Sequence, residues 1–276
     1  MIGSILLAVD ASSATPTTLS YARFLAAKLE ANLKAVYVID SRLTNMSYWT
    51  DYGALSVPTA TYSEEMNELL QAQGKELLKD VEAQLADEGL TAETEIRTGL
   101  PANQILDAAA TADLIVLGRR GESSKLEGAG GLGAVVERVI RGSRQPVLVA
   151  AERFTPPKRV VLGYDGSERA REAMVYATEL AQRLGLPLLA VSVHDDERVA
   201  LERLETVRAY AQGRKLELKT LPLISDDAVE ALLSQLAEGD LLAIGAFGEG
   251  RVREWLLGST TEALLRSSTQ PVLLHR

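Results

Sequence analysis

ERVIRGSRQPVLV at residues 137–149 and EALLRSSTQPVLL at residues 262–274 are one phrase written twice. The Glu, the Arg, the Ser and the QPVL tetrapeptide recur in register, with residues 137 and 262 lying 125 apart. A second pair of landmarks lies near the start of each half. ILLAVDAS closes an apolar run at Asp10, and VVLGYDGS does so at Asp165, 155 residues later. A fixed internal repeat of this size means tandem copies of one folding unit. The two offsets differ by 30, so the first copy holds about thirty extra residues between the landmarks. They are expected in the stretch 41–62 and just beyond it. The seam is ERFTPPKR, residues 152–159. Pro156 and Pro157 neither continue a helix nor donate to a sheet ladder, so it reads as a short stiff linker. The expected domains are residues 1–152, with the insert, and 158–276.

Short apolar runs alternate with helical periodicity inside each copy. The runs at 5–9, 34–39, 91–97, 114–117 and 147–150 match those at 160–164, 188–193, 216–221, 241–244 and 272–274. Between them, stretches such as 17–29 and 169–184 carry the Ala and Leu content and 3.6-residue spacing of helices. Pro16 suits a first helical turn, where its missing N–H costs nothing. Near-continuous hydrophobic strands alternating with helices imply a parallel sheet covered on both faces. The expectation is therefore an α/β protein of two tandem doubly wound domains, each with a five-stranded parallel sheet of Rossmann-like type. In such sheets ligands sit at the carboxyl ends of strands, where strand order reverses.

A glycine pattern follows the fourth strand of each copy. In the second, Gly245, Gly248 and Gly258 spell G-x2-G-x9-G, followed by Ser259 and Thr260. Glycines permit torsions and close approach that a Cβ blocks, letting backbone N–H groups face an anion. Gly258-Ser259-Thr260 also precedes a helical segment, whose first turn offers free N–H donors and the positive end of a dipole. Arg251 and Arg253 lie near enough in sequence to balance phosphate charge. In the first copy, Gly118 and Gly121 repeat the opening and Gly133 aligns with Gly258. The intervening stretch is two residues longer there, and Ala134 stands where the second copy has Ser259. A lost hydroxyl contact costs on the order of 1 kcal/mol. Arg119, Arg120 and Lys125 offer positive charge, and Asp10 with Ser12 preserves the first-strand corner.

The Asp-Gly-Ser after the first strand, combined with G-x2-G-x9-G-S after the fourth, resembles the ATP-binding subgroup of the universal stress protein family. The resemblance covers almost the whole chain, in two copies. It implies that Asp165 lies by the nucleoside and that Gly245, Gly248, Gly258, Ser259 and Thr260 hold ribose and phosphates. The family's adenine contact falls near Val193, at the end of the second strand. Asp10, Gly118, Gly121 and Gly133 are the corresponding residues of the first copy. ATP, or AMP or ADP, with Mg accompanying it, is the implied ligand, and a regulatory role in the stress response is the implied function. The alternatives are a slow ATP hydrolase and a scaffold with degenerate sites. No G-x-S-x-G elbow and no Walker lysine is present. The QPVL strands are expected at sheet edges, pairing between domains within the chain and hiding those edges. A homodimer remains open.

Composition sets outer bounds. The 276 residues carry a net charge of −9, which argues against a nucleic-acid partner, since that needs a basic stripe. There is no cysteine, excluding disulfides, thiolate metal sites and thiol nucleophiles and suiting a cytoplasmic location. The first apolar run is far too short for a membrane span. Of the two histidines, His194 beside Asp195 and Asp196 reads as a polar strand end before a helix rather than a metal site. His275 reads as a solvated end residue. Tyr48, Trp49, Tyr52 and Tyr62 concentrate in the insert, as a loop packing its own rings, a lid or a partner patch.

Overall fold

A computed structural model describes residues 2–44, 59–121, 132–246 and 258–275, with backbone only for 59–62. The first copy runs β1 (Ser4–Val9), α1 (Thr15–Leu29), β2 (Asn32–Asp40), α2 (Ser41–Thr44), α3 (Thr59–Ala86), β3 (Ala92–Gly99), α4 (Pro101–Ala108), β4 (Leu114–Leu117), α5 (Ala134–Gly142) and β5 (Val147–Val149). The second runs β6 (Arg159–Gly163), α6 (Glu168–Leu184), β7 (Leu188–His194), α7 (Glu197–Ala211), β8 (Leu218–Ile224), α8 (Ala228–Leu233), β9 (Asp240–Gly245), α9 (Ser259–Ser267) and β10 (Val272–His275). The strand–helix alternation is thus as the periodicity predicts. Part of the first copy's extra length goes into α3, 28 residues against 15 for its counterpart α7. Its inner face buries Leu70, Leu78, Val81 and Leu85. The aromatic cluster of the insert lies outside the described side chains.

The ten strands form one sheet in the order β3-β2-β1-β4-β5-β10-β9-β6-β7-β8. Every neighbouring pair is parallel except β5 with β10, which are antiparallel, Val149 facing Val272 and Val147 facing Leu274. Each QPVL strand is the edge of its own copy, and the ladder between them gives both edges a hydrogen-bonding partner. One face of the sheet packs α1, α3, α6 and α7, the other α4, α5, α8 and α9. Both apolar layers run unbroken through the two copies. Leu6, Val116, Leu148, Val161, Leu242 and Val272 are wholly buried. Each such side chain contributes about 1.5–3 kcal/mol by leaving water. The outer strands β3 and β8 are only half buried, as strands at a sheet margin should be.

The seam is docked, not free. Tyr21 donates to the Arg153 carbonyl (3.1 Å), and its ring meets Phe154 edge-on at 4.9 Å. From α6, Arg183 donates to the carbonyls of Ile2 and Leu29 in the first copy. His275 corrects the reading of it as a solvated end. It continues β10 opposite Gly245 and is only 9% exposed. Its ring stacks on Tyr176 of α6 at 4.5 Å. Burial holds its imidazole below the usual histidine range, against the pull of Glu172 at 3.4 Å.

Candidate functional site

The strand order reverses between β6 and β9 in the second copy and between β1 and β4 in the first. Chains leaving the carboxyl ends of these neighbours diverge to opposite faces and open a crevice. In the second copy, β6 ends in the turn 164–167. The exposed Asp165 accepts a hydrogen bond from the Ser167 amide at 2.9 Å. Ser167 caps α6 by accepting from the Ala170 amide at 3.1 Å. Gly166 has φ +83°, a torsion that disfavours any side chain.

Across the crevice, β9 ends at Gly245. A Cβ there would fall 2.6 Å from the Ala170 nitrogen and the Arg169 carbonyl carbon, which are backbone atoms of α6. This glycine is therefore demanded by strand–helix approach, whatever else it meets. Gly258 is the N-cap of α9, and the first intrahelical bond there runs from the Glu262 amide to the Gly258 carbonyl (2.9 Å). The amides of Ser259, Thr260 and Thr261 precede that bond and have no acceptor among the described residues. Ser259 and Thr260 are exposed. Gly248, Arg251 and Arg253 lie outside the described residues. Asp165 and Gly245 thus flank one strand-order reversal, with the start of α9 reached from β9.

Val193, near the end of β7, sits one strand further along this edge. Its carbonyl accepts from Arg203 Nη1 at 3.4 Å. Arg203 comes from α7, with Glu202 and Thr206, and these face Asp165, Gly166 and Ser167 across a polar groove of about 560 Å³. Nothing in the sequence reading singled out these α7 residues. The available signal was periodicity: Ala200, Leu204, Val207 and Ala211 point inward, which leaves Arg203 flanking the buried stripe beside the strand ends.

The first copy draws its nominated residues together more tightly. A Cβ on Gly121 would collide with Asp10 Oδ2, and one on Gly118 would meet Ala14 Cβ at 2.9 Å and Thr18 Oγ1 at 3.1 Å. Gly133, the N-cap of α5, donates its amide to the Arg119 carbonyl at 3.2 Å. Asp10 accepts from the Ser12 amide at 3.0 Å, and its carbonyl accepts from Thr15 Oγ1 at 2.6 Å. Arg119, whose position suggests a phosphate counter-charge, is engaged elsewhere in this structure. Its guanidinium crosses the seam and donates to the carbonyls of Ser268 (2.5 Å) and Gln270 (3.4 Å). Ser268 is the C-cap of α9, where a cation meets the negative end of the helix dipole. Burial there holds the guanidinium below its usual pKa.

Elsewhere, His194 Nδ1 accepts from the Asp196 amide at 2.9 Å, and Asp196 caps α7, as a strand end before a helix start should be arranged. Among the described residues no group of three His, Asp or Glu side chains is placed to hold a metal ion. No helix among them is long and apolar enough to cross a membrane.

Comparison with known proteins agrees with this architecture. The universal stress protein family model matches the chain twice, over residues 1–151 and 156–276. Universal stress protein Slr1230 of Synechocystis sp. is 30% identical over 288 residues, covering 99% of both chains. Universal stress protein MJ0531 of Methanocaldococcus jannaschii is 33% identical over 147 residues, 52% of this chain and 79% of the relative. The crystal structure of a universal stress protein from Archaeoglobus fulgidus shares the fold, with TM-score 0.73 and 23% identity over 100% of this chain and 99% of that one. Two family matches in tandem and a full-length relative lead to one conclusion: the chain belongs to the universal stress protein family.

Proposed function

We propose that this protein is an adenine-nucleotide-binding regulator of the stress response, holding ATP, or AMP or ADP, in its second copy without rapid turnover. One observation carries the reading. At the β6–β9 reversal, an exposed carboxylate at Asp165 and a glycine-led helix start at Gly258-Ser259-Thr260 belong to the two neighbouring strand–loop units. A carboxylate suits ribose hydroxyl donors. Unpaired amides at a helix start, flanked by hydroxyls, suit phosphate oxygens. Gly245 and Gly248 would join Gly258, Ser259 and Thr260 in holding ribose and phosphates, and Val193 would meet the base. Mg²⁺ accompanies the phosphates and lowers their charge repulsion.

The domains proposed are residues 1–152, with its insert at 41–62, and 158–276. They act as a pseudo-dimer within one chain, a reading supported by the β5–β10 ladder. A homodimer built on another surface is compatible with this, and the proposed location is the cytoplasm. For the first copy a specific observation favours a weaker site or a purely structural partner. Asp10, Gly118, Gly121 and Gly133 keep the frame, but Arg119 is turned across the seam and Ala134 offers no hydroxyl.

The test is to release and chromatograph the nucleotide that copurifies with the wild type and with Gly258→Asp, then titrate both with ATP. Aspartate puts bulk and negative charge where phosphate should sit. The expected result is about one nucleotide per chain in the wild type and none in the variant, in line with charge repulsion at a helix start. If neither binds while both stay folded, the nucleotide reading fails and a scaffold takes its place. Multiple-turnover release of product would instead make the protein a slow hydrolase.

A further inference from the structure

The groove beside the β6–α6 turn holds a side chain with unspent chemistry. Arg203 projects from α7 over Gly166, where a Cβ would come within 3.3 Å of its Cγ. Glycine at 166 therefore lets the arginine stem lie close against the turn that carries Asp165. The guanidinium then reaches the end of β7, where its one hydrogen bond among the described residues is to the Val193 carbonyl. At 3.4 Å that bond is long and weak. Among the described residues no carboxylate is ion-paired with Arg203, and the Asp165 carboxylate is turned to the Ser167 amide. A guanidinium has five N–H donors in a rigid plane, so most of this fork is available to a ligand. The side chain is half buried, which reduces screening by water.

We infer that Arg203 sets the base preference of the second-copy site, stacking on or donating to the nucleoside end of the ligand. This rests on the nucleotide reading above and goes beyond it by naming the residue that selects the base. The chemistry favours a purine nucleotide. A two-ring base offers a wide π-face to a guanidinium plane and ring nitrogens that accept from its donors. Phosphate recognition belongs to the other end of the site, at the start of α9, so Arg203 contributes to base selectivity and little to anion affinity. It touches the ligand directly, whereas Gly166 acts only by letting it lie close.

Wild type, Arg203→Ala and Arg203→Lys are titrated with ATP, CTP and inorganic tripolyphosphate. Circular dichroism checks that each variant is folded. The wild type is expected to prefer ATP over CTP by about tenfold, the scale of one base–side-chain stacking contact. Arg203→Ala should lower ATP affinity about tenfold while tripolyphosphate affinity moves less than twofold. Arg203→Lys keeps the charge but not the plane, so it should lose most of the base preference as well. Equal losses for ATP and tripolyphosphate in Arg203→Ala, or restoration by lysine, would make Arg203 a mere counter-charge and overturn the inference. Unchanged selectivity in both variants would overturn it too. A wild type that binds tripolyphosphate and both nucleotides equally refutes the base-selective role alone, whereas a wild type that binds none of the three refutes the nucleotide reading and this inference together.

Discussion

Gly118 and Gly245 occupy corresponding places in the two copies, at the carboxyl end of the fourth strand, and face different neighbours. A side chain at 245 would run into the backbone of α6, with the Ala170 nitrogen and Arg169 carbonyl carbon both at 2.6 Å. A side chain at 118 would meet side-chain atoms, Ala14 Cβ at 2.9 Å and Thr18 Oγ1 at 3.1 Å. The repeated glycine is thus first a packing requirement of the fold, and it is stricter in the second copy. A glycine in a loop motif does not by itself report a ligand, and a substitution there must be read for folding before it is read for binding.

This difference makes the largest prediction. Gly245→Ala should cost about 3 kcal/mol, the upper end of what overpacking a filled interior costs. Gly118→Ala should cost roughly 1–2 kcal/mol, because the atoms it meets belong to side chains, that of Ala14 at the N-cap of α1 and the Thr18 hydroxyl, rather than to the backbone of a helix. Urea denaturation midpoints at constant slope measure both. Equal midpoints would erase the distinction between the two strand–helix approaches.

The seam supplies the next largest effect. Arg119 of the first copy closes the C-terminal end of α9, whereas Ala246, its counterpart after Gly245, forms no such bridge and uses its amide to bond the His275 carbonyl at 2.7 Å. Arg119→Met retains most of the buried stem but leaves the Ser268 and Gln270 carbonyls without their cation. Hydrogen bonds to charged groups contribute about 1.5–3 kcal/mol each when made well, and the variant also escapes the burial of a charge, so a net loss of about 2 kcal/mol is expected. Amide exchange should accelerate in the last turn of α9 and leave α5 unchanged. No change in either the midpoint or the exchange would mean that the β5–β10 ladder and the shared cores hold the seam unaided.

The repeat made the fold readable. Once residues 137–149 and 262–274 are aligned, ten strands and their helices follow from hydrophobic spacing, because doubly covered strands are nearly all apolar. Strand ends moved by up to three residues, where burial is partial and the pattern fades, as at β3 and β8. In the candidate site, Asp165, Gly245 and Gly258 stand out in the sequence as a strand-end acid and loop glycines, and of these only Gly245 is fixed in type by a close approach to backbone. The site was not legible where a side chain acts over a distance that spacing does not encode. Arg119 looked like a phosphate counter-charge because it lies between Gly118 and Gly121, yet its length carries it across the seam. Arg203 carried no motif, since its role depends on how α7 lies against the β6–α6 turn. His275 looked solvated because it lies beside the chain end, yet strand pairing with Gly245 draws it under Tyr176.

The smallest effect is the cleanest test of the comparison. Glu30 and Gly185 stand 155 residues apart, the same offset as Asp10 and Asp165, and each ends the first helix of its copy in the left-handed region. Their φ values are +51° and +67°. The hydrogen bonds match too: Ala31 to the Ala26 carbonyl at 3.0 Å, Leu186 to the Ala181 carbonyl at 2.9 Å. Left-handed backbone costs a residue with a Cβ roughly 1 kcal/mol, and glycine returns about half of that through its greater freedom when unfolded. Glu30→Gly should therefore raise stability by about 0.5 kcal/mol, and Gly185→Ala should lower it by a similar amount. A Cβ at Gly185 meets nothing within 4 Å, so packing does not confuse the second measurement. Opposite shifts of equal size in the urea midpoint would establish that the two turns are one device built with different residues. A loss of stability in Glu30→Gly would mean that the glutamate side chain contributes more at that turn than its backbone strain costs.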